Sequence, residues 1–217
     1  MNSSVKNAEI KDTKVCLQID DTWISCDNVI NCAGLYASEV ASMIHNKDNK
    51  SDNKTKWTPP KYYYAKGTYF RLQGRPPFQH LIYPVPEQGG LGVHATLDWN
   101  SSSVKFGPDV EWLDTKTTAS QIKYDPDPQR GKGFYDQVWK YWPNLPKNKL
   151  VPDYVGVRPK LSHPAVEKVT FDDFRIEGKE LHGVDGLVHM FGIESPGLTS
   201  SMAIAEHVTN ILIDKNR

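Results

Sequence analysis

The stretch 187–208 restricts the possible folds more than any other part of the chain. Leu187, Val188, Met190 and Phe191 form an apolar run behind the turn signal Asp185-Gly186, as a buried strand does. Leu198, Met202, Ala205, Val208, Ile211 and Leu212 then recur at three- and four-residue steps, the spacing of one apolar helix face. Between them lies a loop punctuated by Gly192 and Gly197, so the segment predicts strand, loop and helix. The first helical turn carries Thr199, Ser200 and Ser201 but no Asp or Glu, which leaves its N–H groups and positive dipole end free for an electron-rich ligand edge. Gly197 allows close approach to the backbone, and Ser195 or Thr199 can cap the helix. An ordinary capped helix packed on a sheet has the same spacing, and spacing alone favours it.

Upstream, residues 15–24 read as two short strands meeting at Asp20-Asp21-Thr22. Val29-Ile30-Asn31-Cys32-Ala33-Gly34 is an apolar strand ending in small residues, followed by a helix with Leu35, Val40, Met43 and Ile44 toward a sheet. Small residues at that carboxyl end suit either a ligand at the sheet edge or tight helix packing. The Lys- and Asn-rich segment 45–56 reads as a solvated linker. From Pro59 the texture changes to an antiparallel meander, with strands expected at 68–72, 80–85, 91–99 and 104–106. In the third, Leu91, Val93, Ala95, Leu97 and Trp99 alternate, which puts Gly92, His94, Thr96 and Asp98 on the opposite face. Gly90-Leu91-Gly92-Val93-His94-Ala95 fits the dinucleotide fingerprint, but that fingerprint opens a helix and these residues lie inside a strand pattern, so it is rejected. Asp127-Pro128 starts a helix with Phe134, Val138, Tyr141 and Trp142 on one face and Pro143 at its end. Gly131 and Gly133 each weaken that helix by roughly 1 kcal/mol relative to alanine. A strand at 154–161 bears Arg158, and 173–178 begins the return to the opening sheet. The expected domains are 1–56, 57–165 and 166–217.

The chain has 217 residues with Lys plus Arg equal to Asp plus Glu at 26 each, so charge gives no argument for nucleic acid or an anionic surface. Cys16, Cys26 and Cys32 are odd in number and lack C-x-x-C spacing, which argues against a disulfide framework or zinc and for small core residues in a reducing compartment. Asn2-Ser3-Ser4, Asn53-Lys54-Thr55 and Asn100-Ser101-Ser102 match sequons with no signal peptide before them and read as chance matches. No apolar run approaches a membrane span, so a soluble or at most peripheral protein is expected.

The wording Phe191-Gly192-Ile193-Glu194-Ser195-Pro196-Gly197-Leu198-Thr199-Ser200-Ser201 closely resembles the C-terminal flavin-binding segment of the L-2-hydroxyglutarate dehydrogenase family, within the D-amino-acid-oxidase-like FAD oxidoreductases. The likeness continues in that family's order through Ala65-Lys66-Gly67-Thr68-Tyr69-Phe70, Leu81-Ile82-Tyr83-Pro84-Val85-Pro86, Gly90-Leu91-Gly92-Val93-His94, Phe106-Gly107-Pro108-Asp109-Val110-Glu111-Trp112 and Asp153-Tyr154-Val155-Gly156-Val157-Arg158-Pro159-Lys160, from about Cys26 onward. It implies a fold of mixed α+β and α/β class, in which a partial, Rossmann-like FAD-binding domain is interrupted by an antiparallel β-sheet substrate domain with a helix.

The resemblance implies FAD-dependent oxidation of L-2-hydroxyglutarate to 2-oxoglutarate, a mitochondrial setting with the cytoplasm as alternative, and a quinone as electron acceptor. Such chemistry needs a cation for the substrate carboxylate and a base for its hydroxyl proton. Arg158 suits the first role, since a guanidinium grips a carboxylate bidentately, and His94 suits the second, since an imidazole is the side chain most often used to take up a proton near neutral pH. Lys66, Tyr83 and Thr96 are the substrate-binding candidates. Each residue also has a structural reading: a strand-end arginine, a strand histidine, a solvated lysine, a core tyrosine. For the flavin the resemblance points to Ala33, Gly34, Gly192, Ile193, Glu194, Ser195, Pro196, Gly197, Leu198 and Thr199. The family opens with a strand, a G-x-G-x-x-G turn and a helix, with an acidic residue about 20 residues further on, and these 217 residues contain no such unit. The chain is therefore expected to be either a fragment or truncated product, or a stand-alone descendant of the family's C-terminal part, in either case not active alone, with a missing N-terminal half or a peripheral membrane contact as partners. Two other readings stay open: another amine or hydroxy-acid oxidoreductase of this fold, or a non-catalytic protein that binds a small acid or a partner chain.

Overall fold

The computed structural model describes residues 3–45, 57–85, 92–167 and 172–213. Two compact units share the chain, one made of Met1–Tyr63 with Pro159–Arg217 and the other of Tyr64–Arg158.

The first unit opens with an antiparallel meander of β1 (Val5–Lys11), β2 (Lys14–Ile19) and β3 (Thr22–Cys26). Asp12 and Thr13 both have positive φ, 47° and 68°, the two-residue turn whose twist matches its flanking strands. The β2–β3 turn falls at Asp20 and Asp21, where the sequence places it. β1 has no clean alternation to read, because its register shifts between Val5 and Asn7. The three cysteines are free, and Cys32 is exposed while Cys16 and Cys26 are half-buried, so none is the core residue expected of it.

β4 (Val29–Asn31) leads through a short 3-10 turn into α1 (Ala37–Ile44). The buried helix face is Ala37, Ala41 and Ile44, with Val40 and Met43 packed beside it. Leu35 belongs to the 3-10 turn, not to this face, which corrects the expected stripe. Of the expected linker, only His45 is described.

In the second unit β5 (Tyr63–Leu72), β6 (His94–Leu97), β7 (Val104–Gly107) and β8 (Glu111–Trp112) lie in the order β6-β7-β5-β8, and β9 (Leu150–Lys160) also pairs with β5. One sheet face supplies Phe70, Leu72, Val93, Ala95, Val104 and Phe106 to a core completed by Phe134 and Val138 of α2 (Gly131–Val138). Each large side chain so buried contributes roughly 1.5–3 kcal/mol relative to exposure. The expected alternation at 91–99 stops at Leu97. Asp98 accepts the Ser102 and Ser103 amides at 2.7 and 3.1 Å, which turns the chain and leaves Trp99 97% exposed. The expected strand at 80–85 reduces to a single bridge between Ile82 and Ala95, because Pro84 cannot donate to a ladder. Gly90 and Leu91 of the rejected fingerprint lie outside the described residues.

Asp127 caps the start of the helical segment by accepting the Gln129 amide at 2.9 Å, with Pro128 behind it. Gly131 has a packing reason for its helical cost, since a Cβ there would stand 2.9 Å from Phe70 Cε1. Tyr141 and Trp142 follow the helix in a turn, with the Trp142 amide on Val138 O at 2.7 Å.

The chain then returns to the first unit through β10 (Arg175–Glu177), α3 (Lys179–His182), β11 (Leu187–Phe191) and α4 (Ser201–Ile213). β11 lies between antiparallel β10 and parallel β4. α4 buries only Val208, with Ile204, Ile211 and Leu212 half-covered; Ile211 packs over Gly178. The expected apolar stripe is therefore rotated, and Leu198 and Met202 are 91% and 83% exposed.

Candidate active site

The sheet of the second unit has a second face, and the chemistry-bearing residues gather on it. Tyr83 lies with its ring 4.1 Å from that of His94, between ring centroids. Tyr69 on β5 stacks on Tyr154 of β9 at 4.4 Å and 11°. Burial first, and the neighbouring Tyr154 phenol second, push the Tyr69 hydroxyl up to about 12, while the Arg158 guanidinium pulls it the other way and Tyr83 also acts on it. His94 with Tyr83 and Tyr69 with Tyr154 thus form two ring pairs, and Arg158 and Tyr83 both act electrostatically on Tyr69, which stays protonated and able to donate. Thr96 follows on the same face of β6, opposite Lys105. Lys105 pairs with Asp153 at 2.8 Å and lies 4.9 Å over the Tyr154 ring.

Lys66 is not brought to this set. It is three residues from Tyr69 on β5, hence on the opposite face, and its ammonium is 3.8 Å from Glu111. Tyr69 and Tyr154 are the residues that sequence reasoning passed over. Period-two spacing carries the signal, because Tyr154 and Arg158 share one face of β9 and Tyr69 and Arg71 one face of β5.

Gly107 fixes the Tyr69 ring from behind. Its φ is +144°, and a Cβ there would stand 2.8 Å from both Tyr69 Cδ1 and Thr68 O. Gly107→Ala is expected to cost about 1–3 kcal/mol through overpacking. It should also displace Tyr69, read as a lower urea midpoint together with a changed Tyr69 ring resonance. An unchanged midpoint and resonance would show that the pocket wall is soft.

In the first unit, the parallel pairing of β4 with β11 sets Val29 against Leu187 and Asn31 against His189. The junctions that follow, at Ala33-Gly34 and at 192–200, therefore leave the same sheet edge, the carboxyl side where α/β sheets take ligands. Gly34 has φ +57° and open space where a Cβ would stand, whereas a Cβ on Gly192 would meet Leu161 at 2.9 Å. The Gly192 amide donates to the Tyr62 hydroxyl at 3.0 Å. Glu194 accepts from Lys160 at 2.5 Å, so it ties the loop to the end of β9. Ser195, Pro196, Leu198 and Thr199 are exposed, Ile193 half-buried and Gly197 buried.

Behind that edge lies a histidine cluster with no local sequence signal. Asn31 Nδ2 donates to Ala37 O at 2.8 Å and to His189 Nδ1 at 3.0 Å, while its Oδ1 accepts the Ala33 amide at 3.3 Å. His189 Nδ1 is therefore an acceptor, and its proton sits on Nε2, 3.1 Å from His45 Nε2. Trp57 stacks on His189 at 5.5 Å and 8°, and donates to Glu177 at 2.8 Å. His182 stands edge-on at 5.2 Å. Burial, then the neighbouring imidazoles, lower His189 to about 3; burial and His182 lower His45 to about 4. His182 is lowered by burial against the opposing pull of Glu177 and Glu180.

A family model for FAD dependent oxidoreductases (DAO) matches residues 2–211. The chain belongs to this family. Within the DAO family it is 45% identical to a mitochondrial L-2-hydroxyglutarate dehydrogenase of Arabidopsis thaliana, over 96% of this chain and 45% of that protein. It is 29% identical to a glycerol 3-phosphate dehydrogenase of Caloramator mitchellensis, over 98% of the chain and 39% of that protein. Among solved structures, the FAD-bound L-alpha-glycerophosphate oxidase of Mycoplasma pneumoniae matches with a TM-score of 0.73 at 20% identity, over 97% of this chain and 50% of that one. Glycine oxidase of Geobacillus kaustophilus matches at 0.67 and 12%, over 99% and 49%. The chain spans about half the length of these relatives. Its mixed α/β architecture, with several antiparallel sheets and few helices, is that of about half of a DAO-family oxidase. Among the described residues no helix is long and apolar enough to cross a membrane.

The residues present fit a flavin at the sheet edge of the first unit. Two parallel strand ends open there, and a Cβ added at Gly34 would meet no atom within 4 Å.

Proposed function

We propose that this chain carries the substrate site and part of the flavin site of an FAD-dependent enzyme that oxidises L-2-hydroxyglutarate to 2-oxoglutarate. The observation that carries this reading is the set of His94, Tyr83, Tyr69, Tyr154 and Arg158, which offers a base, hydroxyl donors and a cation to one small acid. The 45% identity to a protein named for that activity supports the choice of acid.

In this reading Arg158 grips the carboxylate next to the hydroxyl-bearing carbon, through two parallel N–H donors. Tyr69, held protonated, donates to the same substrate end. His94 takes the hydroxyl proton as the carbon gives up its hydride, and releases it later to solvent. Bound FAD supplies the hydride acceptor. Ala33, Gly34 and residues 192–199 would line its ring system, in a partial FAD-binding domain that the antiparallel substrate domain interrupts. The pyrophosphate site belongs, in this reading, to a strand–G-x-G-x-x-G–helix unit outside these 217 residues. A mitochondrial setting and a quinone acceptor complete the proposal.

The test is the visible spectrum of FAD titrated with the chain. A shifted, structured flavin band with quenched fluorescence is expected; bleaching on anaerobic addition of L-2-hydroxyglutarate but not of its D isomer is expected once a strand–G-x-G-x-x-G–helix unit is supplied in trans, and not from these 217 residues alone. Glycerol 3-phosphate and glycine serve as competing substrates. A flavin spectrum identical to free FAD would overturn the cofactor assignment. Bleaching by a competitor alone would move the substrate to another hydroxy or amino acid of the same fold class.

A further inference from the structure

The sheet face opposite the candidate active site carries a second concavity, a cleft of about 490 Å³ between α2 and the start of β9. Its volume lies in the range that holds small organic ligands. Phe70 forms part of its wall, the side chain next to Tyr69 on β5 but on the other face of the strand. Phe70 is only 1% exposed and closes the floor, so the rings the cleft offers are those of Tyr135 and Trp139, one helical turn apart, 5.3 Å between centroids and tilted by 45°.

The polar groups of this cleft are arranged for an anion. The Tyr135 hydroxyl accepts two backbone amides, Lys149 at 2.7 Å and Leu150 at 2.9 Å. Both its lone pairs are thereby used, so its own O–H is left to donate. Trp139 is different: its indole N–H is satisfied by Leu145 O at 3.0 Å, and its ring is what it offers. Lys132 and Lys147 line the cleft as exposed cations, and among the described residues neither makes an ion pair. Asp136 is the one acid in the lining, so the charges sum to a net positive rim. Aromatic walls reward a flat ring by stacking, while two lysines and a phenolic donor reward a carboxylate at its edge.

We propose that this cleft binds a planar aromatic anion, a fused two-ring carboxylate being the simplest form. The site is separate from the hydroxy-acid site, and its occupancy requires no flavin. Lysines 132 and 147 supply the charge term and Tyr135 the directional hydrogen bond.

The probe is 2-naphthoate, titrated into the chain by calorimetry and by NMR of the Trp139 indole N–H, whose bond to Leu145 makes it a slowly exchanging reporter. Saturable binding is expected, with the Trp139 signal moving in step with the heat. Lys132→Glu with Lys147→Glu should weaken it at least tenfold, while Lys116→Glu with Lys123→Glu, which changes the net charge equally at other exposed sites, should leave it within twofold. Naphthalene-2-carboxamide should lose the charge-dependent part, and cyclohexanecarboxylate should not bind. Binding that persists in the Lys132/Lys147 variant, equal loss in both variants, or a Trp139 signal that stays still while heat is released would each overturn the assignment. All four lysines are exposed, so the fold is not at stake in these variants.

Discussion

Arg158→Met is expected to weaken binding of L-2-hydroxyglutarate and of 2-oxoglutarate by roughly two to three orders of magnitude, since removing one partner of a hydrogen-bonded charge pair costs about 2–5 kcal/mol. Arg158→Lys should recover only part of this, because a lysine brings a point charge without the planar fork that fits a carboxylate. Calorimetric titration of each variant with 2-oxoglutarate measures the effect directly. The substitution also removes the group that pulls the Tyr69 hydroxyl downward against its burial. Tyr69 is then held still more firmly in its protonated form, so no phenolate arises to confuse the result. An affinity within about threefold of the parent would sink the role given to Arg158, and with it the proposed orientation of the acid.

Acid should open the first unit well before carboxylate titration alone would do so. An unfolded histidine has a pKa near ~6.5, whereas His45 is held at about 4 by burial and His182, and His189 at about 3 by burial, His182 and His45. Above ~6.5 both states bind the same number of protons at these sites, and the cluster's full contribution is present. Below it the unfolded chain takes up protons that the folded chain refuses, so stability falls by about 1.4 kcal/mol per pH unit for each such histidine. The loss continues until the pH reaches about 4 for His45 and about 3 for His189. Urea unfolding followed by circular dichroism at a series of pH values from neutral to acidic should show this slope. His45→Gln with His189→Gln should flatten it, whatever their effect on stability at neutral pH. A slope identical in the double variant would assign acid lability to other groups.

Much of the fold could be read from local pattern. The strand at 187–191, the cap at Asp127-Pro128 on the 3-10 turn that leads into α2, and the alternation of Val93 and Ala95 against His94 and Thr96 all appear where residue period and turn chemistry put them. Where expectation and structure differ, a tertiary or neighbouring effect overrode the pattern. Asp98 cut short a strand that the period would have carried to Trp99, and α4, whose apolar residues surround more than one face, covers Ile204, Val208 and Ile211, the last of them over Gly178. The site divides the same way. His94 and Arg158 could be named from residue type and resemblance, and Tyr154 lay two strand periods before Arg158 on the same face. The union of Asn31, His45, Trp57, His182 and His189 could not be read at all, because it joins α1, α3, β4, β11 and a loop across most of the chain length, and no window contains two of its links.

The parallel pairing of β4 with β11 also sets an order in time. Asn31 and His189 are 158 positions apart, and all of the second unit lies between them. As the chain leaves the ribosome, β5 through β8 and α2 meet partners made within the same stretch, so that sheet can close early, when loop closure is least costly. β4 emerges first among the strands of its sheet and must wait for almost the last. Until Leu187–Phe191 arrives, Val29–Asn31 has none of the sheet partners it shows in the finished protein, and the imidazole of His45 lacks its bond to His189. A ribosome stalled shortly before residue 187 would therefore hold β4 without its parallel neighbour, and the sheet edge with Gly34 would come into being only once residues 187–191 had emerged.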